Sequence, residues 1–177
     1  MMANSKTLIT YFSRTGNTKV VAEMINERVG GDLIPIQTQD PEPTDYRKQV
    51  DTNMQEQLNN VLPELKTVIP NFHEYDRIFI GTPTWNMSLP QAVVAFLNRY
   101  DFSGKTVIPF NTHGPYGAGS TFSQIKAASD GAEVLEGLDL RGGEENVGIL
   151  LAIKGNNKVQ ASKQVDDWLR KIGQLQK

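Results

Sequence analysis

Short apolar runs alternate along this chain with segments whose apolar residues recur every three or four positions. That alternation predicts strands and amphipathic helices in turn, the pattern of a parallel sheet covered on both faces. Leu8-Ile9-Thr10-Tyr11-Phe12 reads as the first strand, rich in β-branched and aromatic residues. Val20, Val21, Met24, Ile25 and Val29 then fall on one helical face, and Gly30-Gly31 supplies the left-handed residues that end a helix. Leu33 to Ile36 is the second strand, Arg77 to Gly81 the third, Lys105 to Asn111 the fourth, and Glu133 to Leu138 the fifth. Between them, Leu89, Val93, Phe96 and Leu97 mark a helix with Pro90 suited to its first turn, and a short helix starts near Thr121. Val165, Trp168, Leu169 and Ile172 mark a last helix buried on one side.

Three stretches complicate this pattern. The connection from Gln37 to Asp76 is long for a compact domain. Pro41-Glu42-Pro43 forbids helix at its start, but Tyr46, Val50, Met54 and Leu58 recur every four residues and predict an amphipathic helix, with Pro63 and Pro70 after it. Pro109 cannot donate to a strand ladder, so a bulge or a strand end is expected there. Val147 to Ile153 is an apolar run beyond the fifth strand; extending that strand, covering a ligand edge and meeting a second subunit all fit it.

Composition narrows the chemistry. The 177 residues make one domain of 1–177 the simplest organisation. The chain has no Cys, which removes disulfides, thiolate metal sites and cysteine nucleophiles. Eighteen basic against 20 acidic residues give a net charge of −2, with no clustered Lys and Arg to grip nucleic acid. No run approaches a membrane span, and the apolar stretch after Met1–Lys6 is too short for a signal peptide, so a cytoplasmic location is expected.

In a sheet of this kind ligands bind beyond the carboxyl ends of the strands. Ser13, Arg14, Thr15, Gly16, Asn17 and Thr18 join the first strand to a helix N-terminus. Their hydroxyls and successive backbone N–H groups make an anion nest, in which each charge-assisted hydrogen bond contributes roughly 1.5–3 kcal/mol. A plain helix cap fits the same residues. It is not a Walker loop, because the Gly-Lys-Ser/Thr ending is missing. The loop after the third strand holds Pro83, Thr84, Trp85 and Asn86, a tryptophan suited either to half-buried packing or to a ligand wall. The loop after the fourth holds Thr112, His113, Gly114, Tyr116 and Gly119, glycine-rich with one aromatic, as for a backbone lying against a flat ring or for a flexible surface loop. Together the three loops suggest a phosphate at one end and a planar ring at the other.

These residues resemble the flavodoxins. Ser13-Arg14-Thr15-Gly16-Asn17-Thr18 after Tyr11-Phe12 is similar to the family's FMN-phosphate signature. Gly81-Thr82-Pro83-Thr84-Trp85 and Asn111-Thr112-His113-Gly114-Pro115-Tyr116-Gly117 are similar to its two ring-binding loops, and Asp101-Phe102-Ser103-Gly104-Lys105 matches the lead-in to the fourth strand. The resemblance runs from about Leu8 to Leu138. It implies a three-layer α/β flavodoxin-like fold, a five-stranded parallel sheet of order 2-1-3-4-5 with helices on both faces. It also implies non-covalent FMN, with the 13–18 loop on the phosphate, Thr84, Trp85 and Asn86 along one side of the ring, and Thr112, His113, Gly114 and Tyr116 along the other.

Two departures bear on what such a protein does. Trp85-Asn86-Met87-Ser88 stands where many flavodoxins carry an acidic loop with a glycine, though Asn accepts positive φ better than most residues. The charge of −2 is far from the strongly acidic surface that lets carriers dock on basic partners. The expected roles are therefore an electron carrier working with a redox partner protein, an NAD(P)H-dependent FMN reductase acting on quinones or similar small acceptors, or a non-redox phosphate-binding or regulatory module of the same topology. The third lacks the paired acidic residues that would hold Mg²⁺ after the first strand. A monomer and a homodimer are equally compatible. His113 is read as a structural loop histidine or a proton-transfer group, His73 as a surface residue, and Asp166, Asp167, Arg170 and Lys171 as the solvated face of the last helix.

Overall fold

Strand β1 (Thr7–Tyr11) is buried at every residue: β2 (Asp32–Pro35) and β3 (Arg77–Pro83) pair with its two edges in parallel, and an apolar layer covers each of its faces. The computed structural model describes residues 6–40, 45–143 and 149–175. Strand β4 (Thr106–His113) pairs with the far edge of β3, and the position beyond β4 is shared by two short segments, β5 (Glu133–Val134) and β6 (Leu138–Arg141). All pairs are parallel, and the order is 2-1-3-4-5 with β6 also on β4.

Side-chain alternation along the strands divides the core in two. Leu8, Ile78, Ile80 and Val107 face α3 (Gln91–Arg99) and α4 (Thr121–Ala128), with Phe72, Phe96 and Phe102 filling the layer. Ile9, Phe79, Ile108 and Phe110 face α1 (Asn17–Val29) and α5 (Gly155–Lys171), where Met24, Ile25, Val165, Trp168 and Leu169 close the other layer. Gly30, at φ 74, caps α1 as its sequence predicts. Asp166 is not part of a solvated face. It pairs with Arg28, which also bonds Ser162, and so ties α1 to α5.

Pro109 is neither a bulge nor a strand end. It lies mid-strand opposite Ile80, and β4 continues to His113. The carbonyls of Val107 and His113 accept bonds from Leu135 and Gly142 on the outer side. By the period of two, the nitrogen of Pro109 faces that side as well. The outer strand breaks there, between Val134 and Leu138, so the missing N–H has no partner to lose.

Helix α2 (Tyr46–Leu58) forms where the four-residue period places it, and Asp45 caps it by accepting from the Lys48 N–H at 3.1 Å. Its inward face is rotated away from the expected one by about one residue's turn. Met54 and Leu58 are 42% and 73% exposed and Val50 is half-buried, whereas Gln49 and Asn53 are buried. The surface beneath α2 is the reason. Pro90, at the N-cap of α3, has no capping side chain, and Asn53 Oδ1 accepts from the Gln91 N–H in its place. Gln57 Nε2 donates to the Leu89 carbonyl and to Ser88 Oγ. A helix laid on backbone N–H and C=O groups must present polar side chains to them.

Candidate functional site

The topological switch lies between β1 and β3, where the chain leaves β1 for β2 on one side and returns to β3 on the other. A cleft of about 360 Å³ opens there, at the carboxyl ends of β1, β3 and β4. Its walls hold Ser13, Arg14, Thr15, Asn17 and Thr18 from the first loop; Pro83, Thr84, Trp85 and Asn86 from the second; and Thr112, His113, Gly114 and Tyr116 from the third. Of the residues expected from sequence, Gly16 and Gly119 are not on the wall.

At the first loop, Gly16 sits at φ 101 as the N-cap of α1 and bonds no helix N–H through a side chain. The N–H groups of Gly16 and Lys19 reach Ser13 Oγ only at 3.2 and 3.3 Å. A positive helix end whose N–H groups make such long, weak bonds is well placed to donate to an anionic oxygen. Thr18 Oγ1 and Thr112 Oγ1 lie 2.7 Å apart and buried, joining the start of α1 to the end of β4. Asn17 takes another part. Its Nδ2 donates to the Leu150 carbonyl at 2.8 Å and to Thr15 Oγ1 at 3.1 Å, and its Oδ1 accepts from the N–H groups of Ala152 and Ile153. The run from Val147 therefore crosses the first loop over residues 149–153; Val147 and Gly148 lie outside the described residues.

The second loop is a tight turn. Trp85 and Ser88 exchange both backbone hydrogen bonds, and Asn86 and Met87 between them have φ 53 and 62. Positive φ at both central positions is the type I′ form, natural for Asn and strained for Met. Trp85 is half-buried with its ring edge-on to Phe12 at 5.3 Å, so it packs on the core and lines the cleft at once. Gly119 serves this turn from outside: at φ 58, a Cβ there would lie 2.1 Å from the Met87 carbonyl. It permits the second and third loops to touch, and the correction to its expected role is that it shapes the wall without being part of it.

In the third loop Asn111 Nδ2 bonds the Thr82 carbonyl and Thr84 Oγ1, holding the ends of β3 and β4 together. His113 Nδ1 lies 2.8 Å from the Gly114 carbonyl, and Nε2 lies 3.0 Å from the carboxylate of Asp139 on β6. Both nitrogens thus meet oxygen, and the ring is oriented from two sides. Tyr116 is 82% exposed at the rim.

Sequence reasoning missed Gln49, Val50, Met87, Pro115, Gly117, Gly142 and Gly143, which complete the wall. Met87, Pro115 and Gly117 adjoin expected residues and were within reach. Val50 belongs to the apolar stripe the period marks on α2, whereas Gln49 arrives on the inward face the period misjudged, and Arg14 Nη1 contacts Gln49 Oε1 at 3.5 Å. Gly142 and Gly143 follow β6, and nothing local marks them.

The chain matches known proteins along most of its length. A family model described as flavodoxin matches residues 6–148. A flavodoxin from Synechocystis sp. is 26% identical over 71% of this chain, and the match spans 59% of that flavodoxin. A crystal structure from Bacteroides eggerthii, described as a flavoprotein, is 29% identical with a TM-score of 0.74, covering 96% of this chain and 99% of that one. A flavoprotein from Lactobacillus acidophilus, solved in complex with FMN, is 27% identical with a TM-score of 0.64 over 77% of this chain and 93% of that one.

Proposed function

This chain belongs to the flavodoxin family, and from that membership we propose that its cleft binds FMN non-covalently for electron transfer to a redox partner protein in the cytoplasm. One observation carries the reading. The cleft sits at the switch point and is lined both by the loop that opens α1 and by Trp85 and Tyr116. That matches a ligand with an anion at one end and a flat ring at the other. The donor set fits a phosphate, since the first loop offers hydroxyls and backbone N–H groups with no carboxylate among them.

FMN bound there supplies reversible acceptance of electrons. The protein's share is to bind and orient. Ser13, Thr15 and the N–H groups opening α1 take the phosphate, and Arg14 adds positive charge on the same side. Trp85 and the 112–116 backbone confine the ring, and His113, held by Asp139, fixes the third loop around it. Exposure of Tyr116 at the rim leaves an edge open for electron exchange. No helix among the described residues is long and apolar enough to cross a membrane.

The test is titration of flavin-free protein with FMN and with riboflavin, followed by flavin fluorescence. FMN is expected to bind at least tenfold more tightly, because several hydrogen bonds to the phosphate at roughly 1.5–3 kcal/mol each are lost with riboflavin. Protein that changes neither spectrum would refute the proposal. The balanced charge of −2 favours a second reading, reductase activity with NAD(P)H. Anaerobic mixing with NADPH and with NADH separates the two: bleaching of the bound flavin supports a reductase, and no reaction supports a carrier.

A further inference from the structure

The side chain of Asn17 is filled to capacity. A primary amide donates twice and accepts twice, and here both donors and both acceptor positions are engaged, by Thr15, Leu150, Ala152 and Ile153. Asn17 is 4% exposed, so water cannot replace a lost partner cheaply. Three of the four partners are backbone groups of the 150–153 strap, more than 130 residues away in sequence. The strap ends in Ile153, buried against α1 and α5. It also lies on the cleft wall from behind: a Cβ at Gly143 would sit 2.1 Å from the Leu150 carbonyl and 2.4 Å from that of Ile149. Gly142 and Gly143 line the cleft, and a Cβ at Gly142 would be 3.3 Å from Asn17 itself.

We propose that Asn17 is a positioning residue: it clamps the 150–153 strap, and the strap holds Gly142–Gly143 as a wall of the flavin cleft, so its side chain supports binding without touching the phosphate. The proposal rests on the FMN reading above and assigns that site a support from outside its three loops. Phosphate contact by the Asn17 amide would require breaking one of four bonds in a buried setting. The strap also explains why an apolar run crosses a polar loop. Ile153 anchors it in the core, while one amide satisfies the Leu150 carbonyl and the N–H groups of Ala152 and Ile153.

Asn17→Ala, Asn17→Asp and Gly143→Ala, each in the full chain, test this with two readouts. The first is affinity for FMN and for riboflavin; the second is amide hydrogen exchange of Ala152 and Ile153 in flavin-free protein. Asn17→Ala is expected to weaken both flavins by a similar factor, about tenfold for the loss of a buried hydrogen-bond set, and to speed exchange at both amides. Asn17→Asp keeps the two accepted bonds but sets a carboxylate oxygen against the Leu150 carbonyl. It is therefore expected to weaken riboflavin and speed exchange as well, and to weaken FMN further through repulsion of the phosphate. Gly143→Ala pushes the strap from its other side, leaves the first loop intact, and is expected to weaken both flavins together. Loss of FMN affinity alone in Asn17→Ala, with unchanged exchange, would make Asn17 a direct phosphate ligand and overturn the proposal. So would a Gly143→Ala protein that binds both flavins as the parent does. Parent protein that binds neither flavin would instead bring down the proposed function itself, and this inference with it.

Discussion

Helices α1 and α2 are each 13 residues long, and both border the cleft, yet they bury opposite kinds of surface. The inward face of α1 is Val21, Ala22, Met24 and Ile25, all at most 3% exposed against strand side chains and α5. The inward face of α2 is Gln49 and Asn53, with Gln57 beside them, seated on the backbone of the 85–91 segment. Among the described residues of α2, none joins either apolar core. The difference teaches that periodicity reports which residues share a face, while the chemistry of the covered surface decides which face turns in. Where a helix covers side chains of a sheet, the apolar stripe is the answer; where it covers a proline-capped helix end and a tight turn, the glutamines and asparagine are.

The largest expected contrast comes from truncating each helix's apolar stripe. Ile25→Ala should cost about 2–5 kcal/mol in urea unfolding of the flavin-free protein, as for a large-to-small change in a closed core. Leu58→Ala should stay within about 0.5 kcal/mol, as for a surface site. Equal losses would mean that α2 buries its stripe after all. Next in size, Asn53→Leu should destabilise by about 1–3 kcal/mol despite adding apolar surface, because it leaves the Gln91 N–H buried without its acceptor. A stabilised Asn53→Leu protein would break the account of how α2 is seated.

The buried Thr18–Thr112 pair sharpens the α1 side of the comparison. Either single change to Val should cost about 1 kcal/mol, and the double change less than the sum, since no hydroxyl is then left alone. Strict additivity in that double-mutant cycle would deny the 2.7 Å bond. Smallest is Met87→Asn, which should raise the melting temperature slightly by relieving about 0.5 kcal/mol of left-handed strain in the turn under α2. A lowered melting temperature would show that the Met87 side chain contributes more than its backbone costs.

Much of the fold was legible because its signals are local. The order of strands and helices follows from apolar runs and periods, and the end of α1 from Gly30-Gly31. The three loops that meet at the cleft follow from their place after β1, β3 and β4 together with their composition. What was not legible is non-local. Pro109 reads as a flaw in a strand until the neighbouring strand is seen to break opposite it. Asn17 reads as one more polar residue of an anion nest until a strap from beyond β6 is found on its amide. Gly119 reads as part of a ring-binding loop until the Met87 carbonyl is found where its Cβ would stand. Gly142 and Gly143 have no local mark at all, because their role is set by what passes behind them.

The sequence by itself determined the alternating α/β architecture, the loops that gather at the switch point, and, by zero Cys, the exclusion of thiol chemistry. Tertiary structure alone decided the inward face of α2, the gap that accommodates Pro109, and the partners of Asn17. The reason is the same in each case. Turn formers and hydrophobic periods act within a few residues, whereas a hydrogen-bonding group is satisfied by whichever donor or acceptor the fold brings to it, however distant in the chain.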